Sequence, residues 1–416
     1  MTEEVAVTGL GAVTAAGAGV AACWAAVRAG RGLERPDPRL AGQASCSCRV
    51  PGFDPGALLG AAVARRADRF SQFALVAAAE AVRDAGLDPQ GWDGARVAVL
   101  IGSAFGGAAG WAEHGRRLAR GGTVGPLAVP LMMTNMAAGQ LSLLLGARGP
   151  SLAVGTACAS GATALALGRD LLRSGACDLV LAGGAEAPVD PLTAAAFARM
   201  DALADGPCRP FDRARTGFVL GEGAAVLVLE RAADARARGA RAHALLLGAG
   251  SSADAHHLTT PHPDGSGLEL AVRRALQQAG AAPGDVDHVN AHATGTRLGD
   301  LAEARALRRV CGPEAVVTAT KGALGHTLGA AGAIEAVVTV LTVAQGIVPP
   351  IAHLDRPDPA IELDLVRGTE RRVRSRLALS TSAGFGGQNA ALLFGPASGP
   401  AALVGQSFDR GHTLPA

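Results

Sequence analysis

A marked excess of charge of either sign is absent from this sequence. Its 416 residues include 38 Lys and Arg against 36 Asp and Glu, a net charge of +2 at pH 7. Proteins that bind nucleic acids or anionic membranes through their overall charge carry a strong excess of basic residues. We therefore expect no such attraction here, and any electrostatic contact with a partner must come from a local group of charged residues. Hydrophobic residues make up 49% and charged residues 18%, which is typical of a chain with a well-buried core.

Paired cysteines are also missing. The seven cysteines are odd in number, scattered and without CxxC spacing, which argues against both a disulfide framework and a zinc site. They are Cys23, Cys46, Cys48, Cys158, Cys177, Cys208 and Cys311. We therefore predict no metal site.

A leader and a membrane span are not indicated. The first residues, MTEEVAVTGLG, place acidic residues and no basic region before an apolar stretch. The longest uncharged run, Ala336 to Leu354, contains Gln345 and the pair Pro349-Pro350, which argues against a span. We expect a soluble protein of the reducing cytoplasm.

Two glycine-rich turns do not match nucleotide-binding motifs. Val5 to Gly11 is interpreted as a strand entering a turn, but Thr14 stands where the GxGxxG motif needs its third glycine. The loop 102–107 lacks the GK[ST] ending of a phosphate-binding loop. Neither turn supports a nucleotide cofactor.

The most informative stretch runs from Ser151 to Arg173. A short apolar segment ends at Gly155, Cys158 follows, and an Ala/Leu-rich helix continues to about Arg173. Unpaired N–H groups and the positive end of a helix dipole favour a thiolate at this position, and thiolate is the nucleophilic form. The alternative is a buried, unreactive Cys158, because cysteine is among the most buried residue types.

Strands and helices alternate along the chain. The elbow and the predicted strand 178–183 form a βαβ unit, which implies a parallel sheet. The second half repeats the alternation, with a long apolar helix predicted at 328–344. We predict an α/β protein with two duplicated halves, 1–250 and 251–395, followed by a flexible tail at 396–416.

Two histidines follow predicted strands of the second half. His292 lies in NAHATGTRLGD and His326 in KGALGHTLGAAG. Open α/β proteins build their sites in loops after the carboxyl ends of parallel strands, so both are candidates for chemistry. A core imidazole bonded to backbone is the alternative for each.

The chain resembles the elongating β-ketoacyl synthases of the thiolase superfamily, which condense acyl groups in fatty acid and polyketide synthesis. The resemblance runs from about Val5 to Phe394 and includes five motifs in the family's order. They are TACASG at 156–161, GFVLGEG at 217–223, HATGTRLGDLAE at 292–303, KGALGH at 321–326 and GFGGQN at 384–389. The resemblance implies a thiolase-like fold, two βαβ halves in an α-β-α-β-α arrangement.

The resemblance also implies the chemistry. Cys158 would take an acyl group from a carrier thioester, while His292 and His326 would bind the carbonyl of the incoming malonyl thioester. The backbone N–H groups of Cys158 and Phe385 would form an oxyanion hole. No cofactor would be bound permanently, because substrates arrive on the phosphopantetheine of an acyl carrier protein.

Further roles follow from the same resemblance. A buried pair of Lys321 and Glu303 would orient the histidines, and Thr294 and Thr296 would bind the phosphopantetheine arm. Phe385 would be a gate, made mobile by its flanking glycines. Those glycines are Gly384, Gly386 and Gly387.

Several positions depart from the family's pattern. Phe105 stands where a smaller residue is common at the floor of the acyl pocket, which predicts a preference for short or medium chains. Phe197 is assigned to the same pocket, and a side chain near Met136 is expected to approach the acyl pocket of the partner subunit. Thr381 and Ala383 replace the Asn and Phe common before the gate, so its packing is expected to differ.

The partners are inferred from the same family resemblance. Arg65 and Arg66 are candidates for docking an acidic carrier protein, and the segment 131–148 resembles the part through which the family dimerises. We expect a homodimer, with a heterodimer containing a chain-length-factor subunit as the alternative. A chain-length factor would lack the nucleophile. A thiolase acting on coenzyme A esters would need a second cysteine near the last glycine loop, and none follows Cys311.

Overall fold

The computed structural model describes residues 3–40 and 42–397. The first half contains strands and helices in alternation. Its strands are β1 (Val5–Thr14), β2 (Gly17–Ala18), β3 (Arg35–Pro36), β4 (Cys46–Ser47), β5 (Val97–Gly102), β6 (Ser151–Val154), β7 (Leu179–Glu186) and β8 (Gly223–Arg231). Its helices are α1 (Val20–Ala29), α2 (Pro55–Leu59), α3 (Ala61–Arg66), α4 (Arg69–Asp84), α5 (Ala108–Ala119), α6 (Ala128–Met132), α7 (Met136–Leu145), α8 (Ser160–Arg173), α9 (Pro191–Arg199) and α10 (Ala232–Ala237).

The second half continues the alternation with shorter strands. Its strands are β9 (Ala244–Ala253), β10 (His288–Asn290), β11 (Val316–Thr318), β12 (Ile347–Val348), β13 (Asp364–Leu365), β14 (Arg371–Arg372), β15 (Ala378–Gly384) and β16 (Gln388–Gly395). Its helices are α11 (Ser266–Ala279), α12 (Arg297–Cys311), α13 (Lys321–Leu324) and α14 (Ala331–Gln345). Short 3-10 turns occur at Pro38–Leu40, Gly94–Arg96, Ala157–Ala159, Pro283–Asp285, Leu328–Ala330 and Phe385–Gly387.

The strand order is the same in both halves. In the first half β1, β8, β7, β5 and β6 lie side by side, and in the second half β9, β16, β15, β10 and β11 do so. In each half the first two pairings are antiparallel and the last two are parallel. We call these two sets the first and the second sheet; they are joined where β1 pairs antiparallel with β9. The duplication predicted from the alternation of elements is therefore present in the topology.

Helices cover the sheets in layers. The central helices α8 and α14 contact each other and strands of both halves, and they share one apolar core with β1, β7, β8 and β16. The helices α4 and α7 pack on the outer face of the first sheet, and α11 and α12 pack on the outer face of the second. This is the α-β-α-β-α arrangement that the family resemblance implied.

The long apolar helix is an internal element. The stretch Leu328–Gln345 is long and apolar enough to cross a membrane by length and composition, but 89% of it is buried inside the protein. Burial on all sides explains why its sequence is apolar without a polar face. In this structure it is the core helix between the sheets.

Two helical segments are interrupted. The chain from Ala61 to Asp84 forms two helices, α3 and α4, because Asp68 is extended and caps α4 by accepting from the Phe70 N–H group. The segment 131–148, expected at the dimer surface, contains the end of α6 and all of α7. The predicted division at residue 250 stays a prediction; that residue lies within β9. Within the predicted tail 396–416, residues 398–416 lie outside the described part of the chain.

Candidate active site

Cys158 lies in the sharp connection between β6 and α8. One 3-10 turn, Ala157–Ala159, separates the strand segment from the helix. Ala157 has a φ of 49°, in the left-handed region that non-glycine residues rarely adopt. The Ser160 hydroxyl donates to the Ala157 carbonyl (2.6 Å) and accepts from the Thr156 N–H group (2.9 Å). The predicted elbow is therefore present, and it is braced by the first residue of the helix.

The two predicted histidines meet the cysteine. His326 Nε2 lies 3.2 Å from Cys158 Sγ. The His292 and His326 rings are nearly perpendicular, at 85°, with centroids 5.4 Å apart. Cys158 belongs to the first half of the chain and both histidines to the second, so the site is assembled between the halves.

The GFVLGEG motif holds His326 in place. The His326 N–H group donates to the Val219 carbonyl (2.8 Å), and the Gly221 N–H group donates to the His326 carbonyl (3.0 Å). The Phe218 ring packs edge-on against the imidazole, with centroids 5.0 Å apart. This motif therefore positions a site residue.

Lys321 is the only lysine in the chain and is 1% exposed. Its Nζ atom donates to the His292 carbonyl (2.6 Å), lies 3.2 Å from His292 Nδ1 and forms an ion pair with Glu335. The predicted pairing of Lys321 with Glu303 is thus wrong. The carboxylate that pairs with Lys321 comes from the central helix α14, which packs directly behind the site.

Glu303 holds the backbone of the His292 loop. It accepts from the N–H groups of His292 (2.9 Å) and Ala293 (2.7 Å), and from the Thr381 hydroxyl (2.7 Å). Burial raises the pKa of Glu303, while the hydrogen bond from Thr381 and those from the two N–H groups lower it. Thr381, noted in the sequence as a departure, therefore binds Glu303 directly.

Thr294 and Thr296 lie together on the wall of the cavity. Their hydroxyl oxygens are 3.1 Å apart, and both residues line the cavity that reaches Cys158. Asp300 holds the intervening Gly295 by accepting its N–H group (3.0 Å). Two adjacent hydroxyls at this place can donate to or accept from the polar groups of a long flexible arm.

The glycine-rich loop at 384–387 closes one side of the cavity. A Cβ on Gly384 would lie 2.7 Å from the Thr156 carbonyl oxygen and 3.1 Å from the Cys158 nitrogen, so this close approach needs glycine. Gly386 and Gly387 have φ values of 79° and 72°, in the region that favours glycine. The loop is held by hydrogen bonds from the Gly386 N–H group to the Leu258 carbonyl (2.7 Å) and from the Asp254 N–H group to the Gly387 carbonyl (2.9 Å).

These side chains line a cavity of about 640 Å³. It contains ten of the predicted site residues: Cys158, Phe197, His292, Thr294, Thr296, Glu303, His326, Gly384, Phe385 and Gly387. Lys321 and Gly386 do not line it; Lys321 lies behind His292. A volume of this size is in the range of small-molecule sites.

The predicted acyl-pocket residues are only partly together. Phe197 is 7% exposed and lines the cavity, whereas the Phe105 ring is 41% exposed and lies behind it, with ring centroids 6.3 Å apart. Met136 begins α7 and does not line the cavity. The candidate docking residues Arg65 and Arg66 are exposed in the last turn of α3, also away from the cavity lining.

Burial decides the charge states at the site. Burial raises the pKa of the Cys158 thiol to about 12, and the Lys321 charge and the Phe385 N–H group oppose this only in part. Burial and the nearby Lys321 charge hold the pKa values of His292 and His326 well below the usual range. These shifts favour the thiol form of Cys158 and the neutral form of both imidazoles. The thiolate expected at the helix terminus stays a prediction, and its formation needs a base within reach of the thiol.

Sequence reasoning missed Glu335 and Asp254. Glu335 is the one carboxylate in the apolar run of α14, and a lone charge in a buried helix signals a partner. Asp254 accepts from the Asn389 side chain (2.6 Å) and lines the cavity beside the glycine-rich loop. No spacing rule in the sequence connects Asp254 to that loop.

Comparison with known proteins gives consistent matches over nearly the whole chain. Residues 2–235 match the family model described as the N-terminal domain of beta-ketoacyl synthase, and residues 243–355 match that of its C-terminal domain. The chain is 38% identical over 411 residues to a 3-oxoacyl-[acyl-carrier-protein] synthase 2 of Staphylococcus aureus (strain N315), which covers 94% of this chain and 98% of that protein.

Solved structures resemble it in three dimensions. The ishigamide ketosynthase/chain length factor superposes with a TM-score of 0.91 at 34% identity, covering 96% of this chain and 100% of that one. A ketosynthase of a type II polyketide synthase, in complex with its acyl-carrier protein and bound to the hexaketide, superposes with a TM-score of 0.88 at 29% identity, covering 96% and 100%.

Proposed function

The chain belongs to the β-ketoacyl synthase family and has its thiolase-like fold, and on that premise we propose that it condenses an acyl group held on Cys158 with a malonyl group on an acyl carrier protein. The product is a β-ketoacyl carrier protein. The observation that carries the proposal is the contact of 3.2 Å between Cys158 Sγ and His326 Nε2, at the end of a cavity lined by His292.

The first step moves the acyl group onto the enzyme. Because the pKa of the thiol is raised, Cys158 needs a base, and the neutral His326 lies within reach of its proton. The sulfur attacks the acyl thioester carbon, the bond to the carrier sulfur breaks, and the proton goes to that departing thiolate. The N–H groups of Cys158 and Phe385 are the proposed donors to the tetrahedral oxyanion; one such donor contributes about 3 to 4 kcal/mol to lowering a barrier.

The second step generates the carbon nucleophile. The malonyl carboxylate leaves as CO2, and its electron pair forms an enolate on the thioester carbonyl. His292 can donate a hydrogen bond to that oxygen, because the Lys321 ammonium occupies Nδ1 as a donor and leaves the imidazole proton on Nε2. A neutral donor is suited to this step, since it stabilises the developing charge without first taking a proton.

The third step forms the new carbon–carbon bond. The enolate carbon attacks the acyl carbonyl held on Cys158, and the carbon–sulfur bond breaks. The released thiolate takes up one proton from solvent and restores the thiol; this proton balances the negative charge that the malonyl carboxylate brought. Thr294 and Thr296 are the proposed contacts of the phosphopantetheine arm, and Phe385 with its glycines is the proposed gate, because all of them except Gly386 line the cavity between the protein surface and Cys158.

The partners in this proposal are an acyl carrier protein and a second subunit. Arg65 and Arg66 are exposed and available to an acidic carrier. The proposed dimer surface is formed by the segment 131–148 and the exposed edge strand β6. Helix α7, which lies within that segment, carries Leu143, a large apolar side chain that is 86% exposed. No cofactor is bound permanently, and the proposed location is the cytoplasm.

A second assembly is favoured by one comparison. The similar ishigamide protein is a ketosynthase with a chain length factor, so the same surface can serve a heterodimer in this protein. A role as the chain-length factor itself is disfavoured by the intact Cys158, His292 and His326. Mass measurement of the purified complex, alone and with a co-expressed sister subunit, separates homodimer from heterodimer.

The proposed function is tested with carrier proteins loaded with malonyl groups and with acyl groups of increasing length. Intact-protein mass should show an acyl group on Cys158, and the carrier should gain a β-ketoacyl group only when malonyl carrier is added. Cys46→Ala is a matched control, because Cys46 is half-buried but does not line the cavity, and this variant should acylate like the wild type. Acyl groups on other cysteines only would contradict the proposal.

A further inference from the structure

A fully buried carboxylate lies beside the site and has no part in the steps above. Glu186 ends β7 and is 0% exposed. Its Oε1 atom accepts from the Ser103 hydroxyl (2.9 Å) and the Phe105 N–H group (3.1 Å). Its Oε2 atom accepts from the N–H groups of Ala104 (2.6 Å) and Gly329 (3.0 Å). Each oxygen thus has two donors, which is an unusually complete set for one carboxylate.

The four donors come from two separate parts of the fold. Residues 103–105 follow β5 in the first half, whereas Gly329 lies three residues after His326 in the second half. The Ser103 hydroxyl also accepts from the Gly106 N–H group (2.9 Å), so the loop around Phe105 is organised by the same group. Glu186 therefore joins the Phe105 loop to the turn that carries His326.

Packing around this junction leaves no free volume. A Cβ on Gly329 would overlap the Ala104 nitrogen and the Glu186 carboxylate. The Gly329 carbonyl lies against two more glycines: a Cβ would come within 2.6 Å of it at Gly184 and within 3.0 Å of it at Gly161. Gly161 is in the first turn of α8, directly after the elbow. A shift of the Gly329 turn would therefore be transmitted to Cys158.

The Glu186 carboxylate also affects the electrostatics of the site. Burial raises the pKa of Glu186 to about 7, while the hydrogen bonds from Ala104, Ser103 and the other donors lower it. Its negative charge in turn contributes to the raised pKa of the Cys158 thiol, and the Lys321 charge acts in the opposite direction.

We propose that Glu186 is a positioning residue of the condensation and determines which acyl chains it accepts. Its carboxylate holds the Phe105 loop and the His326 turn in one arrangement against the cysteine elbow, and so sets both the depth of the acyl pocket and the contact between Cys158 and His326. This inference rests on the proposed function, because it concerns the acyl group that Cys158 carries.

The test is Glu186→Gln, assayed with a series of acyl carriers of increasing chain length. The amide has the same size, but its NH2 group cannot accept, so it leaves donors of the loop or of the turn without a partner. We expect kcat for acylation to fall roughly 10- to 100-fold with the carrier KM unchanged, as for a displaced reacting group. The longest chain accepted should increase, because the Phe105 loop is released.

Two further variants make the result specific. Glu80→Gln is the matched control: Glu80 accepts from the N–H groups of Ala12 (2.9 Å) and Val20 (2.9 Å) on the outer face of the first sheet. This variant should keep the wild-type rate and chain-length preference. Ser103→Ala removes one donor to Glu186 and should shift both quantities in the same direction by about three- to tenfold in rate.

The outcomes separate the two claims. If Glu186→Gln does not fold, Ser103→Ala decides the question. Acylation at the wild-type rate with the wild-type chain-length preference in the folded variant would overturn the role of Glu186. If the wild-type enzyme itself never carries an acyl group on Cys158, the proposed function fails instead.

Discussion

The Nζ atom of Lys321 lies 3.2 Å from Nδ1 of His292, and this contact determines which nitrogen of the imidazole holds the proton. An ammonium group has three donors and no lone pair, so Nδ1 must accept. With the pKa of His292 held well below the usual range by burial and by Lys321, the ring is neutral and carries its proton on Nε2. A lysine buried behind a histidine thus makes it a neutral donor.

The first prediction concerns Lys321→Met. Without the ammonium, nothing keeps the His292 proton on Nε2. The tautomer with the proton on Nδ1 then cannot donate a hydrogen bond to the enolate oxygen. We expect malonyl-carrier decarboxylation to fall by about 100-fold or more, as for the loss of an oxyanion donor. The rate of CO2 release measures this. Lys321→Arg, which keeps a donor, is the comparison, and an unchanged rate in Lys321→Met would refute the assignment.

The second prediction concerns stability. Glu335→Met leaves the Lys321 ammonium buried without its carboxylate, which typically costs about 3 to 5 kcal/mol. The double variant Lys321→Met and Glu335→Met removes both charges and should recover much of that loss. Urea unfolding of the wild type, both single variants and the double variant provides the cycle. Additive losses in the double variant would show that the two residues are not coupled.

The third prediction is the pH dependence of decarboxylation. The active forms of His292 and His326 are neutral, and their pKa values are lowered, so protonation occurs only at a pH well below about 6.5, the ordinary value for histidine. The rate should stay level as the pH falls from 8 to about 6.5 and decline only in more acidic solution. A rate that falls as the pH rises through about 6.5 would indicate an imidazolium instead.

The fourth prediction concerns Phe105→Gly. The Phe105 ring packs behind Phe197, which lines the cavity, so its removal leaves space into which Phe197 can move. Products should become longer, as measured by mass analysis of the carrier-bound chains. Trp111→Ala removes another exposed aromatic ring outside the cavity lining and should leave product length unchanged. Unchanged products in Phe105→Gly would refute the pocket assignment.

The fifth prediction concerns the carrier. Replacing both Arg65 and Arg66 by Glu should raise the KM for acyl carrier and reduce its dependence on salt, with kcat little changed. The matched control replaces Arg236 and Arg241 by Glu. Arg236 lies in α10 and Arg241 follows it; both are exposed and neither lines the cavity. Equal KM values for the two double variants would remove Arg65 and Arg66 from the docking surface.

The family resemblance implied the layers of the fold, and the sequence motifs pointed to most residues that line the candidate site. The elbow at Cys158 and the two histidines were identifiable because each is a local motif at the end of a strand. The two-helix division at Asp68 was also readable in principle, because an Asp before a helix is a capping signal. The duplication was inferred from the alternation of elements, whereas the strand order within each half came from the structure alone.

Contacts between distant elements could not be predicted in the same way. The partner of Lys321 depends on which face of α14 points to the site, and no sequence spacing relates Lys321 to Glu335. The thiolate expected at Cys158 followed from the helix terminus alone, whereas the surrounding burial dominates its pKa. The exposure of Phe105 likewise depends on how its loop packs. That loop is bound by Glu186, which lies at the end of β7 and is distant in sequence.

The most direct test of the account is condensation by Cys158→Ala and Cys158→Gln, with both variants shown to be folded. Each variant is given acyl carrier and malonyl carrier, and both CO2 release and β-ketoacyl carrier are measured. The account predicts no condensation by either variant, with decarboxylation retained by Cys158→Gln, because His292 and His326 remain in place. Formation of β-ketoacyl carrier by Cys158→Ala at the wild-type rate would contradict it.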